Sequence, residues 1–379
     1  MKILSIFYKH KEGGFNKRLY KLYLALANRN IEVHYIAVEA LPLTHPNIKK
    51  HILWTPLSDH ENLFFWAFFI IMAPLYCTWV AWKCQVEKIV VFSSFYAAIC
   101  SLAALIMRLK MVTFLRIDVL KESAFEKKPE YKILLNRMFE RLGLFLSCLV
   151  IPNSRSLMSA ISTRNKNLNY TVLPNNIENG VCLEYLDRKS IRKKYNLAEE
   201  HFIIVTASRL NPVKNIGFLI KAFSEASLDA GRLVIIGEDL NGTGERNRLE
   251  ELASQLRVTK NTIFTGWIDE PLNIIAAADL FVFPTLQEGS PNALLEALSC
   301  DIACLGSRIP EIIEILYHEE LLFSLSSTSE LSQKLRKAII DSKYRKKISV
   351  LSNERKKVFI FDWKALAANM IIQAGQRMQ

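Results

Sequence analysis

The chain has 379 residues, half of them hydrophobic and 23% charged, a balance that excludes a disordered or fibrous chain and leaves room for two domains with separate cores. A formal net charge of +12 and a pI near 9.3 favour an anionic partner, and the lack of a recognition-helix, zinc-finger or aromatic RNA-binding motif turns the expectation away from nucleic acid. Seven cysteines without a Cys-x-x-Cys pair read as reduced core residues of a cytosolic protein.

Ile3 to Tyr8 reads as a buried strand directly at the start, with no secretory leader pattern. Gly13-Gly14, a helical pattern from about Phe15 to Asn28 and a second strand, Ile31 to Val38, follow. Strand, glycine turn, helix, strand is the opening of a doubly wound domain. Leu63 to Trp82 carries no charge and includes Phe64, Phe65, Trp66, Phe68, Phe69, Tyr76, Trp79 and Trp82. It is long enough to cross a bilayer. Pro74 interrupts it, however, and Lys88 to Phe92 resumes the strand pattern, so the preferred reading is a domain helix whose surplus aromatics dip into a membrane interface. A fully buried helix stays open beside it, as does a span. Asn16 to Lys21 and Lys121 to Lys132 add positive charge to this half. Met111 to Leu115 is another strand, ending in Arg116-Ile117-Asp118, and Cys148 to Pro152 leads through Asn153-Ser154 into a capped helix.

After Asn175-Asn176-Ile177 the chain is polar and basic until Phe202 to Thr206 opens a second sheet. Arg209 and Lys214 lie in one strand-to-helix turn. Such a pair suits a diphosphate, since arginine can fork two oxygens and lysine supplies a point charge. Leu233 to Gly237 and Ile263 to Trp267 are further strands with glycine turns. Leu280 to Phe283 ends at Pro284; Glu288 lies in the next turn, Ser290 reads as a helix cap with Pro291 at the first helical position, and Glu296 falls inside the helix. A strand delivered to a helix N-terminus is where parallel α/β sheets bind ligands. Two carboxylates there suit neutral sugar hydroxyls: one at the loop for a transferable sugar, one on the helix for a ribose.

Glu288-Gly289-Ser290-Pro291-Asn292-Ala293-Leu294-Leu295-Glu296-Ala297 resembles the paired-glutamate motif of the family 4 retaining glycosyltransferases. The resemblance implies an α/β GT-B fold, two Rossmann-like doubly wound domains facing a central cleft. It places an acceptor-binding domain at 1–177, a nucleotide-sugar-binding domain at 178–358 and a helix crossing back to the first domain at 359–379. The implied reaction moves a sugar from a UDP-, GDP- or ADP-sugar to an acceptor hydroxyl with retention. Glu288, Arg209 and Lys214 would be catalytic. Glu296, Gly289, Ser290, Pro291, Asn292, Ala293, Gly14, Trp267 and Ile268 would bind donor. Many relatives carry a histidine where this chain has Arg116 to Asp118, so Arg116 or Asp118 stands in as the sugar-facing group. Asn176 replaces a hinge glycine, which asparagine can mimic at positive φ. No Asp-x-Asp triplet occurs, so no metal or other cofactor is expected and the two cations take the metal's place. The expected acceptor is a saccharide or lipid-linked saccharide of surface polysaccharide or lipopolysaccharide synthesis. The protein would be cytoplasmic, peripheral on the inner, anionic face of the cell membrane. A sugar-nucleotide epimerase and an inactive GT-B-fold membrane or partner-binding protein remain as alternatives.

Overall fold

The computed structural model describes residues 1–9, 14–57, 59–60, 62–177, 188–227, 230–240 and 242–375. Gly13 and Cys182 lie outside these residues. Two compact units emerge: Met1–Pro174 with the segment from Asp362 onward, and Asn175–Phe361. The passage at 174/175 and the return at 361/362 differ from the boundaries 177/178 and 358/359 expected from the sequence. The physical reason is local, since the Ile177 amide donates to the Phe359 carbonyl (2.8 Å) and the Asn176 side chain to the Phe361 carbonyl (2.9 Å). Asn176 is not among the described residues with positive φ, so it does not act there as a glycine substitute.

In the amino-terminal unit six strands, β1 (Lys2–Ile6), β2 (Glu32–Ala37), β3 (Ile48–Ile52), β4 (Lys88–Phe92), β5 (Lys110–Leu115) and β6 (Ser147–Pro152), form a sheet in the order β3-β2-β1-β4-β5-β6. Every pairing is parallel. Runs such as Ile-Val-Val-Phe in β4 are buried because helices cover both faces of such a sheet. The helix Gly14–Ala27 joins β1 to β2, and the last helix, Trp363–Gln373, packs against it. Asp362 caps that last helix by accepting from the Ala365 amide (3.0 Å), and Lys88 Nζ donates to the carbonyls of Ile371 (2.9 Å) and Ile372 (2.6 Å).

The chargeless stretch is one helix, Leu63–Cys84, capped by Asn62 accepting from the Phe65 amide and closed by Gln85 in the left-handed region. By length and composition it could cross a membrane, yet one face is packed inside the unit. Phe65, Phe69, Ala73, Cys77, Val80 and Ala81 are buried against the sheet, at helical spacing. The opposite stripe, Phe64, Ile71, Leu75, Trp79 and Trp82, is exposed and also apolar.

The carboxyl-terminal unit repeats the plan. Strands β7 (Phe202–Ala207), β8 (Gly231–Ile236), β9 (Thr262–Gly266), β10 (Leu280–Phe283), β11 (Ala303–Ser307) and β12 (Leu322–Phe323) pair in the order β12-β11-β10-β7-β8-β9. All are parallel. The six described cysteines are free thiols; the hydrogen bond with Cys100, together with burial, pushes Cys77 well up, and burial pushes Cys304 well up and Cys300 up to about 11, the behaviour of inert core thiols.

Candidate active site

In both sheets the strand order, read from one edge, is that of the doubly wound dinucleotide-binding fold, which reverses direction once between two central strands. In the carboxyl-terminal unit those strands are β7 and β10. The loops leaving their carboxyl ends hold Arg209, Lys214 and Glu288, so residues far apart in sequence share one place in the topology.

Local chemistry fixes the first loop. At the end of β8, Gly237 has φ 139°, and a Cβ there would fall 1.8 Å from the Ser208 carbonyl oxygen, so only glycine permits the two strand ends to close. Ser208 and Leu210 then donate their amides to the Ile236 and Glu238 carbonyls, each at 3.0 Å. Asn211 caps a single turn, Pro212–Lys214, by accepting from the Lys214 amide (3.2 Å), and Asn215 ends it in the left-handed region. Lys214 is thereby aimed, whereas Arg209 is exposed.

The second loop is laced to the first. The Leu286 amide donates to the Val213 carbonyl (2.8 Å), and the buried Thr285 hydroxyl lies 3.2 Å from that same oxygen and 3.3 Å from Glu288 Oε1. From β11, Ser307 donates to the Thr285 carbonyl (2.6 Å). Lys214 Nζ donates to Glu288 Oε1, and the two side chains are only 15% and 12% exposed. A pair so shielded offers little net stability, and it places a cation and an anion where an incoming charged ligand can exchange partners with them.

The helix entry differs from the expected one. Pro291 is the cap residue, without a side-chain capping bond, and the helix is Asn292–Ser299; Ser290 is not the cap and Pro291 not the first helical residue. Instead the fully buried Asn175 donates to the Ser290 carbonyl (3.0 Å) and Asn292 Oδ1 (2.7 Å), bracing the entry. Gly289 and Pro291 are buried; Asn292 and Ala293 are half-buried. Glu296, exposed, lies four residues after Asn292 and three after Ala293, so it stands on the same side of the helix as each of them. At the end of β9, Gly266 has φ 70°. Beyond it Trp267 is exposed, its indole N–H donating to Asp269 (3.2 Å), while Ile268 packs on the core.

In the amino-terminal unit Gly14 is the first residue of the first described helix. Arg116 leaves β5, and burial together with the neighbouring Arg18 pushes its guanidinium down to about 9. Asp118 is held by partners within its own unit. It caps the helix Val119–Phe125, accepting from the Leu120 and Lys121 amides at 3.1 Å, and takes two bonds from Arg164 (3.0 and 3.1 Å), which also pairs with Glu140. Sequence reasoning missed three residues: Thr285, the brace Asn175, and Ser93, which leaves β4 at φ 115° in a conformation side chains rarely adopt. Only the Pro-Thr step after a strand hinted at the first.

Residues 187–355 match the family model described as glycosyl transferases group 1. Over that span the chain is similar to the group 1 glycosyl transferases. The undecaprenol-linked N-acetylgalactosaminyltransferase of Campylobacter jejuni, named N-acetylgalactosamine-N,N'-diacetylbacillosaminyl-diphospho-undecaprenol 4-alpha-N-acetylgalactosaminyltransferase, is 24% identical over 62% of this chain and 63% of its own length. The capsular polysaccharide biosynthesis glycosyltransferase CapM of Staphylococcus aureus is 26% identical over 64% of this chain and 65% of its own. In both cases the match spans less than two thirds of the relative. Among solved structures, Anabaena Alr3699/HepE in complex with UDP and glucose superposes with a TM-score of 0.76 at 19% identity, covering 98% of each chain. The fold is GT-B, with two Rossmann-like units. Together the matches support the glycosyltransferase superfamily.

Proposed function

We propose that the protein is a retaining, metal-independent glycosyltransferase of family 4 that moves a sugar from a nucleotide-diphosphate-sugar to a lipid-linked saccharide. The observation that carries this reading is the meeting of Lys214 and Glu288, from the loops after β7 and β10, at the point where the strand order reverses. As the glycosidic bond breaks, charge gathers on the leaving diphosphate. Arg209, Lys214 and the amides of Asn292 and Ala293 offer prepositioned positive charge for it without reorganisation. Glu288 exchanges Lys214 for sugar hydroxyls and steadies a cation-like sugar, Glu296 holds the ribose, and Trp267 with Ile268 borders the base. The carboxyl-terminal unit is the donor domain and the amino-terminal unit the acceptor domain, and Gly14 and Arg116 are its candidate substrate-binding residues.

The acceptor side is supported by two apolar surfaces of the amino-terminal unit. One is the outward stripe of Leu63–Cys84. The other lies on the helix Glu130–Phe145, where Tyr131, Leu134, Met138, Leu142 and Phe145 are exposed at helical spacing, Phe145 at 83%. Phe95 joins them, its ring 5.8 Å from Trp66 and 5.2 Å from Phe139. Lys83, Lys132, Arg137 and Arg141 are exposed beside these stripes. Apolar stripes flanked by cations suit an interfacial protein on an anionic leaflet. Relatives that act on undecaprenol-linked saccharides fit the same picture, and they do not favour an epimerase or an inactive binding protein. The test is transfer from UDP-, GDP- and ADP-sugars to a short-chain prenyl-diphosphate saccharide, with the anomeric configuration of the product read by NMR. Retained configuration without added metal is expected. An inverted product, or free sugar without any acceptor product, contradicts the reading.

A further inference from the structure

A second cluster of chemistry-bearing side chains lies in the amino-terminal unit and shares no residue with the candidate active site. His51 on β3 is the register partner of Ile36 on β2, and His34 lies two residues before Ile36, so both imidazoles project from one face of the sheet. Their rings stack with His34 Nδ1 3.0 Å from His51 Nε2. The helix Leu63–Cys84 ends on them, so that a ring nitrogen of each histidine and Cys84 Sγ all lie within 4.8 Å of one another. Glu32 Oε1 stands 2.8 Å from the remaining His34 nitrogen, Nε2. With a small rotation a carboxylate so placed can accept from that nitrogen, the arrangement that orients metal-bound histidines by keeping the proton on the far nitrogen and the lone pair forward.

We infer that His34, His51 and Cys84 bind a divalent cation of the zinc type, leaving a fourth position for solvent. Two imidazoles and a thiolate suit zinc rather than magnesium or calcium, which prefer oxygen ligands. With Zn–N near 2.0–2.1 Å and Zn–S near 2.3 Å, tetrahedral donors stand about 3.3–3.6 Å apart, within reach of small side-chain rotations here. The ion replaces the proton shared by the two imidazoles: His51 moves its proton from Nε2 to Nδ1, and the Cys84 thiol releases its own to solvent. His51 and Cys84 are half-buried, which leaves a path for entry. Bound metal would clip the end of the apolar helix to the sheet edge.

The test is titration of the purified full-length protein with Co²⁺ alone, followed by Zn²⁺. One equivalent of Co²⁺ is expected to produce a thiolate-to-cobalt charge-transfer band that Zn²⁺ abolishes. Cys84→Ser should remove the band, Cys148→Ser should keep it, and Glu32→Gln should weaken binding about 10–100-fold. Absence of the band in the wild type, or its persistence in Cys84→Ser, overturns the proposal. If Cys84→Ser does not fold, His51→Ala decides by the same readout, with an unchanged cobalt affinity counting against the site.

Discussion

The two units share a strand order and differ in what they place at its reversal. In the carboxyl-terminal unit the loops after β7 and β10 carry a shielded lysine–glutamate pair, tied together by Thr285, Val213 and Leu286. At the corresponding place in the amino-terminal unit, β1 and β4 end among aromatic rings: Tyr8 contacts Phe65 and Trp66, and Phe7 contacts Tyr96. The backbone architecture is therefore common, and what distinguishes the units is written in the loops and outer helix faces. A charged, pre-aimed site fits the part of a substrate that departs with negative charge. An aromatic and basic surface fits the part that is carried on a lipid.

The largest effects are expected at the ion pair. Glu288→Ala should lower turnover by about 10³-fold while leaving circular dichroism unchanged, and Lys214→Ala should cost on the order of 10²–10³-fold if the lysine stabilises the departing diphosphate. Turnover within a few-fold of the wild type in either variant removes the assignment. Gly237→Ala tests the scaffold of the same unit: its Cβ would collide with the Ser208 carbonyl, so a loss on the order of 3 kcal/mol is expected, confined to the unfolding of residues 175–361 and followed by limited proteolysis. On the other unit, Phe64→Ser with Phe145→Ser should weaken binding to anionic liposomes at least about tenfold without changing nucleotide affinity, as loss of two buried aromatics from an interface requires. Asp118→Asn should lower the melting temperature through a weakened cap and Arg164 pair, about 1–2 kcal/mol, and leave the donor KM where it was; a raised KM with unchanged stability would return Asp118 to a sugar-facing role.

Much of the fold was legible because parallel strands buried on both faces read as apolar runs, as in Phe-Ile-Ile-Val-Thr-Ala of β7. The strands that went unread lack such runs. Edge strand β3, Ile-Lys-Lys-His-Ile, buries little beyond Ile48. In β11, Ala-Cys-Leu-Gly-Ser is built of small residues because the covering helix sits close, and a Cβ on Gly306 would come 2.5 Å from Ile312. Arg209, Lys214, Glu288 and Glu296 could be singled out because each follows a strand or faces a helix start, where ligand chemistry concentrates. Asn175 and Asp118 could not be read for their roles. Asn175 bonds to residues 115 and 117 positions away, and Asp118 is held by an arginine 46 positions on, separations that no local pattern encodes.

Donor binding by the carboxyl-terminal unit is decided by a thermal-shift panel with UDP, GDP, ADP and CMP on the wild type and on Glu296→Ala. At about a hundred times its dissociation constant, the matching nucleotide should add about 2.7 kcal/mol to the folded state and raise the melting temperature, and Glu296→Ala should lose most of that rise. If no nucleotide moves the wild type, or if the variant responds as fully as the wild type, the loops after β7 and β10 are not the donor site.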